Sequence, residues 1–415
     1  MKIVLYGISR VGKDTLITRL VEKLNGQLSH VKGSSTLKNL SQKYYIKDFS
    51  ELTIIQKNNV RELFIDYLNS LSDMKASVIV DGHYAFPNQN NEFNVVFTNA
   101  DLNAYDVFVY LKQSPDNVIK NTQNSISHAH YSYLQNRESI EKWMNYEIQE
   151  LSQRCFESDK EFILVDGDYE DIIDFMMNLV INPESFLSSY IAQNLFNKIL
   201  KNIVMDKQII LLDCDKTVSI DDPTMALAKG LMIDKSQVKE IFLGDYYTVY
   251  QFYRLHKLLH KDGSGELITH LASITELNQN LIKDIKKHPS KSLVIGITTG
   301  LSDLWHVINE QHAIFDVLIG YGHTKATNVI HTFVTPIVKG KLAKMLNSLT
   351  PVKVVGDSII DIWMLKHASQ GFVVVNGKRD ERIQRFIDQI KLDHVYQFSY
   401  NKVKYEHLTE VETIW

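Results

Sequence analysis

The sequence predicts an α/β protein built from two parallel-sheet domains. Three observations carry this. Apolar strand-like runs alternate with segments of helical period along most of the chain, the pattern of parallel sheets covered by helices. The alternation starts twice, at Ile3–Tyr6 and at Gln208–Leu212, and each of these runs ends at a glycine or an aspartate. The length of 415 residues also exceeds one ordinary core, since single cores stop growing at roughly 250–300 residues.

The first series has strands at Ile3–Tyr6, Ser77–Val80, Val107–Leu111 and Phe162–Val165, and defines a domain at residues 1–182. Val60, Phe64, Tyr67, Leu68 and Leu71 recur within it on one helical face. Across residues 183–206, Phe186, Ile191, Leu195, Ile199 and Ile203 keep helical spacing. This predicts a connecting helix docked on one domain, because its apolar stripe is too strong for a free linker. The second series has strands at Gln208–Leu212, Leu293–Ile297, Val352–Val355 and Phe372–Val375, in a domain at residues 207–415. The segment between its first two strands, about residues 219–290, reads as a helical insertion that caps the sheet.

A hydrophobic fraction of 44% and a charged fraction of 23% are those of a globular protein. The two cysteines, Cys155 and Cys214, are far apart and in no metal-ligand spacing. They suggest neither a disulfide framework nor zinc, and fit a reducing, cytoplasmic setting. The apolar start is too short for a signal peptide, and no run of about 18 apolar residues follows, so neither export nor membrane insertion is expected. A net charge of -4 weighs mildly against a protein that holds a phosphate backbone.

The strand Ile209-Ile210-Leu211-Leu212 runs into Asp213-Cys214-Asp215-Lys216-Thr217. Two aspartates at the carboxyl end of such a strand lie where α/β sheets bind ligands. A carboxylate attacks phosphorus when a cation offsets both its charge and the phosphate's, which suits Asp213 as nucleophile. Asp215 can then serve as acid and base. Strand alternation points Cys214 away from both, so it has no catalytic role. Three further segments follow in order. Ile297-Thr298-Thr299-Gly300 ends a strand with a hydroxyl for a phosphoryl oxygen, and Lys339 offers a cation. Val355-Gly356-Asp357-Ser358-Ile359-Ile360-Asp361 ends another strand with two carboxylates suited to Mg²⁺.

This ordered set resembles the four motifs of the haloacid dehalogenase (HAD) superfamily. The resemblance implies a HAD fold and a Mg²⁺-dependent phosphatase working through an aspartyl-phosphate. Asp213, Asp215, Thr298 and Lys339 would be catalytic, Asp213, Asp215, Asp357 and Asp361 would surround the metal, and Thr299 and Gly300 would touch substrate. The insertion stands where caps of the first type stand, and Asp213 to Met225 looks like phosphoserine phosphatase. That family holds its substrate with an acidic residue nine positions past the nucleophile and with a cap arginine. Asp222 and Arg254 are the matching candidates, although Asp replaces the family's Glu. The cap is rich in aromatics, with Tyr246, Tyr247, Tyr250, Phe252 and Tyr253.

In the first domain, Gly7-Ile8-Ser9-Arg10-Val11-Gly12-Lys13-Asp14-Thr15 lies between a strand and a helical run. That is the context of a phosphate-binding loop, in which backbone N–H groups and Lys13 cradle the phosphates of ATP. Gly7, Arg10, Gly12, Lys13, Asp14 and Thr15 are the candidate contacts, with Asp14 where Ser or Thr usually binds the metal. The loop resembles that of small-metabolite and nucleotide kinases, adenylate kinase among them. The resemblance implies a Rossmann-like P-loop kinase fold, with Asp81 near the acceptor. Lys120 and Arg137 are the nearest cations for an arginine-poor lid and read as solvated charges. His128 and His130 lack a third ligand and read as a loop or surface pair.

The expected function is a bifunctional enzyme that joins an ATP-dependent kinase of a small molecule or nucleotide to a capped phosphatase of phosphorylated small molecules. Two alternatives stand beside it. One is a polynucleotide 5′-kinase/3′-phosphatase acting on nucleic acid ends. The other is a nucleotide-sensing P-loop module that regulates the phosphatase.

Overall fold

The computed structural model describes residues 1–72, 77–88, 90, 92–123, 133–201, 207–242, 246–259, 264–375, 380–390, 393–399 and 405–415. His128 and His130 lie outside them. The chain divides into two compact units, Met1–Pro183 and Glu184–Trp415.

The first unit holds strands β1 (Lys2–Tyr6), β2 (Leu28–Lys32), β3 (Ser77–Asp81), β4 (Ala85–Pro87), β5 (Phe93–Val95), β6 (Val107–Leu111) and β7 (Glu161–Val165). Five of them form a parallel sheet in the order β2-β3-β1-β6-β7, and β4 and β5 form a separate antiparallel pair. The central strands are apolar almost throughout because helices cover both faces, and Ile3, Val4 and Leu5 are fully buried. Strand β2 escapes the sequence reading because it is an edge strand that buries only Leu28 and Val31. Helix Ile54–Ser72 buries Val60, Phe64 and Leu68 as its period implies, whereas Tyr67 faces outward, 41% exposed. Helix Arg137–Glu157 starts at Asn136, whose side chain accepts from the Ser139 N–H, and buries Ile140, Trp143, Met144, Ile148 and Leu151.

The second unit holds β8 (Gln208–Leu212), β9 (Ser292–Leu301), β10 (Val317–Tyr321), β11 (Val329–His331), β12 (Val352–Gly356), β13 (Gln370–Val375), β14 (Val395–Ser399) and β15 (Thr409–Val411). They form one parallel sheet in the order β11-β10-β9-β8-β12-β13-β14-β15. Strand β8, which leads into Asp213, lies between β9 and β12, so the three motif-bearing strand ends are neighbours. Among the described residues between β8 and β9 come five α-helices, Pro223–Gly230, Lys235–Phe242, Val249–Leu259, Ser264–Ile274 and Gln279–Ile285, where the helical insertion was expected.

Helix Ser188–Leu200, expected as a connector, belongs to the second unit. It buries Ile191, Leu195 and Ile199 and packs on helix Pro336–Asn347. The apolar stripe that argued against a free linker is satisfied there. Ile203 lies outside the described residues. Among the described residues no helix is long and apolar enough to cross a membrane.

Candidate active sites

In the second unit, β8 delivers Asp213 and β12 delivers Asp357. Asp361 stands at the start of helix Ile362–Lys366. Helix Pro336–Asn347 is set by Thr335, whose side chain accepts from the Val338 N–H, and by Pro336 in its first turn. One turn in, it carries Lys339. The fully buried Lys339 ammonium donates to Asp213 Oδ1 at 2.5 Å and to Asp361 Oδ1 at 2.7 Å. Asp361 Oδ2 accepts from the backbone N–H of Asp357 and of Ser358, both at 3.1 Å, and from the Ser358 hydroxyl at 3.0 Å. Gly356 is needed here, since a Cβ would lie 2.5 Å from Asp361 Cβ. The Thr217 hydroxyl reaches Asp213 Oδ2 at 3.2 Å and Asp357 Oδ1 at 3.4 Å.

Asp213, Asp357 and Asp361 each offer an oxygen within 4.8 Å of the others. Asp215 does not join that cluster. Its carboxylate accepts from the Thr224 hydroxyl at 3.0 Å, the Thr224 N–H at 3.3 Å and the Thr298 hydroxyl at 3.1 Å. These three donors hold its side chain, while the carboxylates that converge are those of Asp213, Asp357 and Asp361. Thr298 Oγ1 in turn accepts from the Gly300 N–H at 2.9 Å.

Burial, and then the charge of Asp361, pushes the Asp213 carboxyl up even though Lys339 opposes the shift. Burial, Asp213 and Asp361 push Asp357 far above the usual carboxylate range. Burial and Asp222 raise Asp215 against its hydrogen bonds. Lys339 moves upward because its two carboxylates outweigh its own burial. One buried ammonium among four carboxylates leaves negative charge uncompensated, and an all-oxygen donor set of this kind suits a hard divalent cation.

Asp222 caps helix Pro223–Gly230 through the Met225 N–H at 2.9 Å and pairs with Lys216 at 3.0 Å. Both border a cavity of about 1010 Å³ whose walls include Met225, Ile233, Val238, Phe242 and Tyr247. Arg254 is not among the residues that line it. The Arg254 guanidinium lies over the Tyr250 ring, 5.8 Å from the centroid. Cys214 is buried, and burial drives its thiol up.

In the first unit, the loop from Gly7 to Gly12 leads into helix Lys13–Leu24. Gly12 has φ +100°, and a Cβ there would collide with the Tyr169 hydroxyl. That hydroxyl donates to the Val11 carbonyl at 3.2 Å and lies 3.3 Å from the Gly12 carbonyl. The Lys13 ammonium donates to the carbonyls of Gly7 at 2.5 Å and Ile8 at 3.2 Å. Burial lowers Lys13 to about 8 although Glu147, Asp81 and Asp14 pull the other way. Asp81 accepts from the Gly33 N–H at 3.1 Å and faces His30 at 3.4 Å. Burial raises Asp81, but these hydrogen bonds outweigh it and hold the carboxylate below its ordinary range.

A cleft of about 740 Å³ is lined by Arg10, Gly12, Lys13, Asp14, Thr15 and Asp81, together with His83, Gln113 and Lys120. Arg137 instead pairs with Asp116 at 2.5 Å on the surface. Sequence reasoning missed Glu147, which is fully buried and accepts from the Ala85 N–H at 2.9 Å and the Tyr110 hydroxyl at 2.8 Å. Burial raises it to about 7. A glutamate on the helix's apolar stripe, between Met144 and Ile148, was the available signal. Thr217, Thr224 and Tyr169 carried no signal of that kind.

A protein-family model described as an AAA domain matches residues 6–141, about a third of the chain. No curated protein matches. Among solved structures, a phospho-aspartyl intermediate analogue of phosphoserine phosphatase is 17% identical, with 44% of this chain and 98% of that chain covered and a TM-score of 0.34. A probable phosphoserine phosphatase from Vibrio cholerae is 16% identical over 48% of this chain and 67% of that chain, with a TM-score of 0.35. A HAD family hydrolase from Salmonella enterica serovar Typhi is 15% identical over 50% and 75%, with a TM-score of 0.31. At such identities the chemistry rests on the side chains of this chain.

Proposed function

We propose that the second unit hydrolyses phosphomonoesters of small molecules through a phosphoryl group carried on Asp213. The first unit, in the same reading, transfers a phosphoryl group from ATP to a small molecule or nucleotide. The observation that carries the phosphatase reading is the convergence of Asp213, Asp357 and Asp361 within 4.8 Å, with Lys339 bridging the first and the last.

Asp213, Asp357 and Asp361 would hold Mg²⁺, which when bound offsets the charge of the phosphoryl oxygens. Asp213 attacks phosphorus while the bond to the leaving oxygen breaks, and Asp215 gives that oxygen its proton. Asp215 then takes a proton from water, whose oxygen attacks the same phosphorus and frees Asp213 together with inorganic phosphate. Lys339 keeps the nucleophile in place, and Thr298 with the Gly300 N–H forms the wall that meets the phosphoryl oxygens. In the first unit, Lys13 and the loop amides meet the phosphates of ATP, and an ionised Asp81 accepts the acceptor hydroxyl's proton.

Phosphate release from a panel of phosphorylated metabolites with Mg²⁺ tests the phosphatase, and γ-phosphate transfer from ATP tests the kinase. Silence of the intact chain on every monoester would remove the first reading. Binding of ATP without transfer would turn the second unit's partner into a nucleotide sensor.

A further inference from the structure

The cleft of the first unit contains a donor that none of the expected contacts uses. Gln113 follows β6, the strand beside β1 and its phosphate loop. It lines the same cleft as Lys13 and is 7% exposed. Its Oε1 is fixed by the Asn117 Nδ2, which donates to it at 3.1 Å. Its Nε2 is buried and has no hydrogen-bond partner among the described residues. Buried amide donors are almost always satisfied, and one that is not calls for an explanation such as a ligand. The hydrogen bond from Asn117 sets Oε1 as the acceptor end of the amide and leaves the two N–H groups of Nε2 unengaged among the described residues.

The ligand chemistry follows from the surroundings. The cleft wall carries the cations Arg10, Lys13, Arg19 and Lys120 and the neutral donors Asn117 and Asn121. Asp14 and Asp81 are the acids among them. An acceptor with negative charge fits this balance, and the loop amides of Gly7 to Lys13 fix where a phosphate chain would run. Gln113 stands just past the carboxyl end of β6, the strand beside β1 and its loop.

We propose that Gln113 is a binding residue for the terminal phosphate of the nucleotide, donating its amide hydrogens to a γ-phosphate oxygen. The role goes beyond Lys13 and rests on the reading of the first unit as an ATP site. A neutral donor there stabilises the γ-phosphate oxygens without neutralising them, which leaves Lys13 and Lys120 as the groups that offset charge.

The test is nucleotide affinity of the full chain with Mg²⁺, measured by calorimetry for ATP and for ADP. Gln113→Leu keeps the size and removes the donors. ATP affinity is expected to fall about 10- to 100-fold, the range for a hydrogen bond to a charged group, while ADP affinity changes less than about threefold. Gln113→Glu puts an anion against the phosphate and is expected to lose ATP more severely, with ADP again spared. Unchanged ATP affinity in Gln113→Leu overturns the proposal, as does an equal loss of ATP and ADP, which would assign the amide to shaping the loop. If the wild-type chain binds neither nucleotide, the ATP-site reading fails and this proposal with it. Normal wild-type binding with an indifferent Gln113→Leu sinks the proposal alone.

Discussion

Each unit of this protein buries a lysine at the carboxyl ends of a parallel sheet, and the two lysines are treated in opposite ways. Lys13 donates to the carbonyls of Gly7 and Ile8, and burial lowers it to about 8. Lys339 lies between Asp213 and Asp361 and is driven upward. The same location in the same fold class yields a site that supplies positive charge in one case and negative charge in the other. On the proposed function, the difference follows from where the reacting oxygen comes from. On the proposed reading, backbone amides and an ammonium held by backbone carbonyls suit a site that receives phosphate from solution, whereas a site whose own carboxylate attacks phosphorus would keep its ammonium locked between carboxylates and recruit a further cation.

The sharpest way to break this contrast is to remove each site's defining group. Asp213→Asn is expected to lower phosphate release at least about 10³-fold, the scale of losing a nucleophile, while ATP binding stays within about twofold. Lys13→Ala should spare phosphate release and abolish γ-phosphate transfer. Steady-state assays of both reactions on both variants check this, and joint loss in either folded variant breaks the two-site account.

Lys339→Met asks whether the locked lysine is structural as well as chemical. It leaves Asp213 and Asp361 buried without their counter-ion, at an expected cost of about 3–5 kcal/mol in denaturant unfolding. A cost under about 1 kcal/mol would mean that the two carboxylates take up protons without strain.

Glu147 sharpens the other half of the comparison. Its folded carboxyl binds a proton more tightly than an unfolded one, about 7 against an ordinary 4.5. The folded state is therefore favoured below that ordinary value, and the contribution is lost as pH rises through about 7. The full swing is roughly 3 kcal/mol. Glu147→Gln is expected to flatten the fall in melting temperature of the full chain between those two values. Lys13, lowered by burial, acts at higher pH, where its contribution rises instead. A slope unchanged in the variant would count against a protonated Glu147.

The smallest expected effect is that of Thr335→Ala, which removes the cap of the helix bearing Lys339. The cost is about 1 kcal/mol in denaturant unfolding, with a modest loss of phosphate release. No change in either would show that packing on helix Ser188–Leu200 alone sets the helix.

Much of this was legible in the sequence because the candidate site groups follow apolar strand runs. Apolar runs announce a central strand, and the first polar residue after the run marks its carboxyl side, which is how Asp213, Thr298, Asp357 and Asp81 stood out. Edge strands were harder. Strand β2 alternates weakly because half of it faces solvent, and β15 is three residues long with little buried surface. Strand β10, Val317–Tyr321, carried a full apolar run and was overlooked between stronger motifs. Side-chain partners were the least legible. Thr224 holds Asp215 across nine residues and Glu147 accepts from Ala85 across 62, pairings that only the folded chain creates. The hydrogen bond of Asp215 with Thr298, and the placing of Arg254 over Tyr250, belong to the same class.

The most direct measurement is to quench the chain with acid during turnover of a phosphomonoester in Mg²⁺ and map the added mass by peptide mass spectrometry. The account expects one phosphoryl group on the peptide containing Asp213, more of it in Asp215→Asn, where release by water is slowed, and none in Asp213→Asn. Steady phosphate release from a chain that carries the label on another residue, or whose Asp213→Asn variant still turns over, would contradict it.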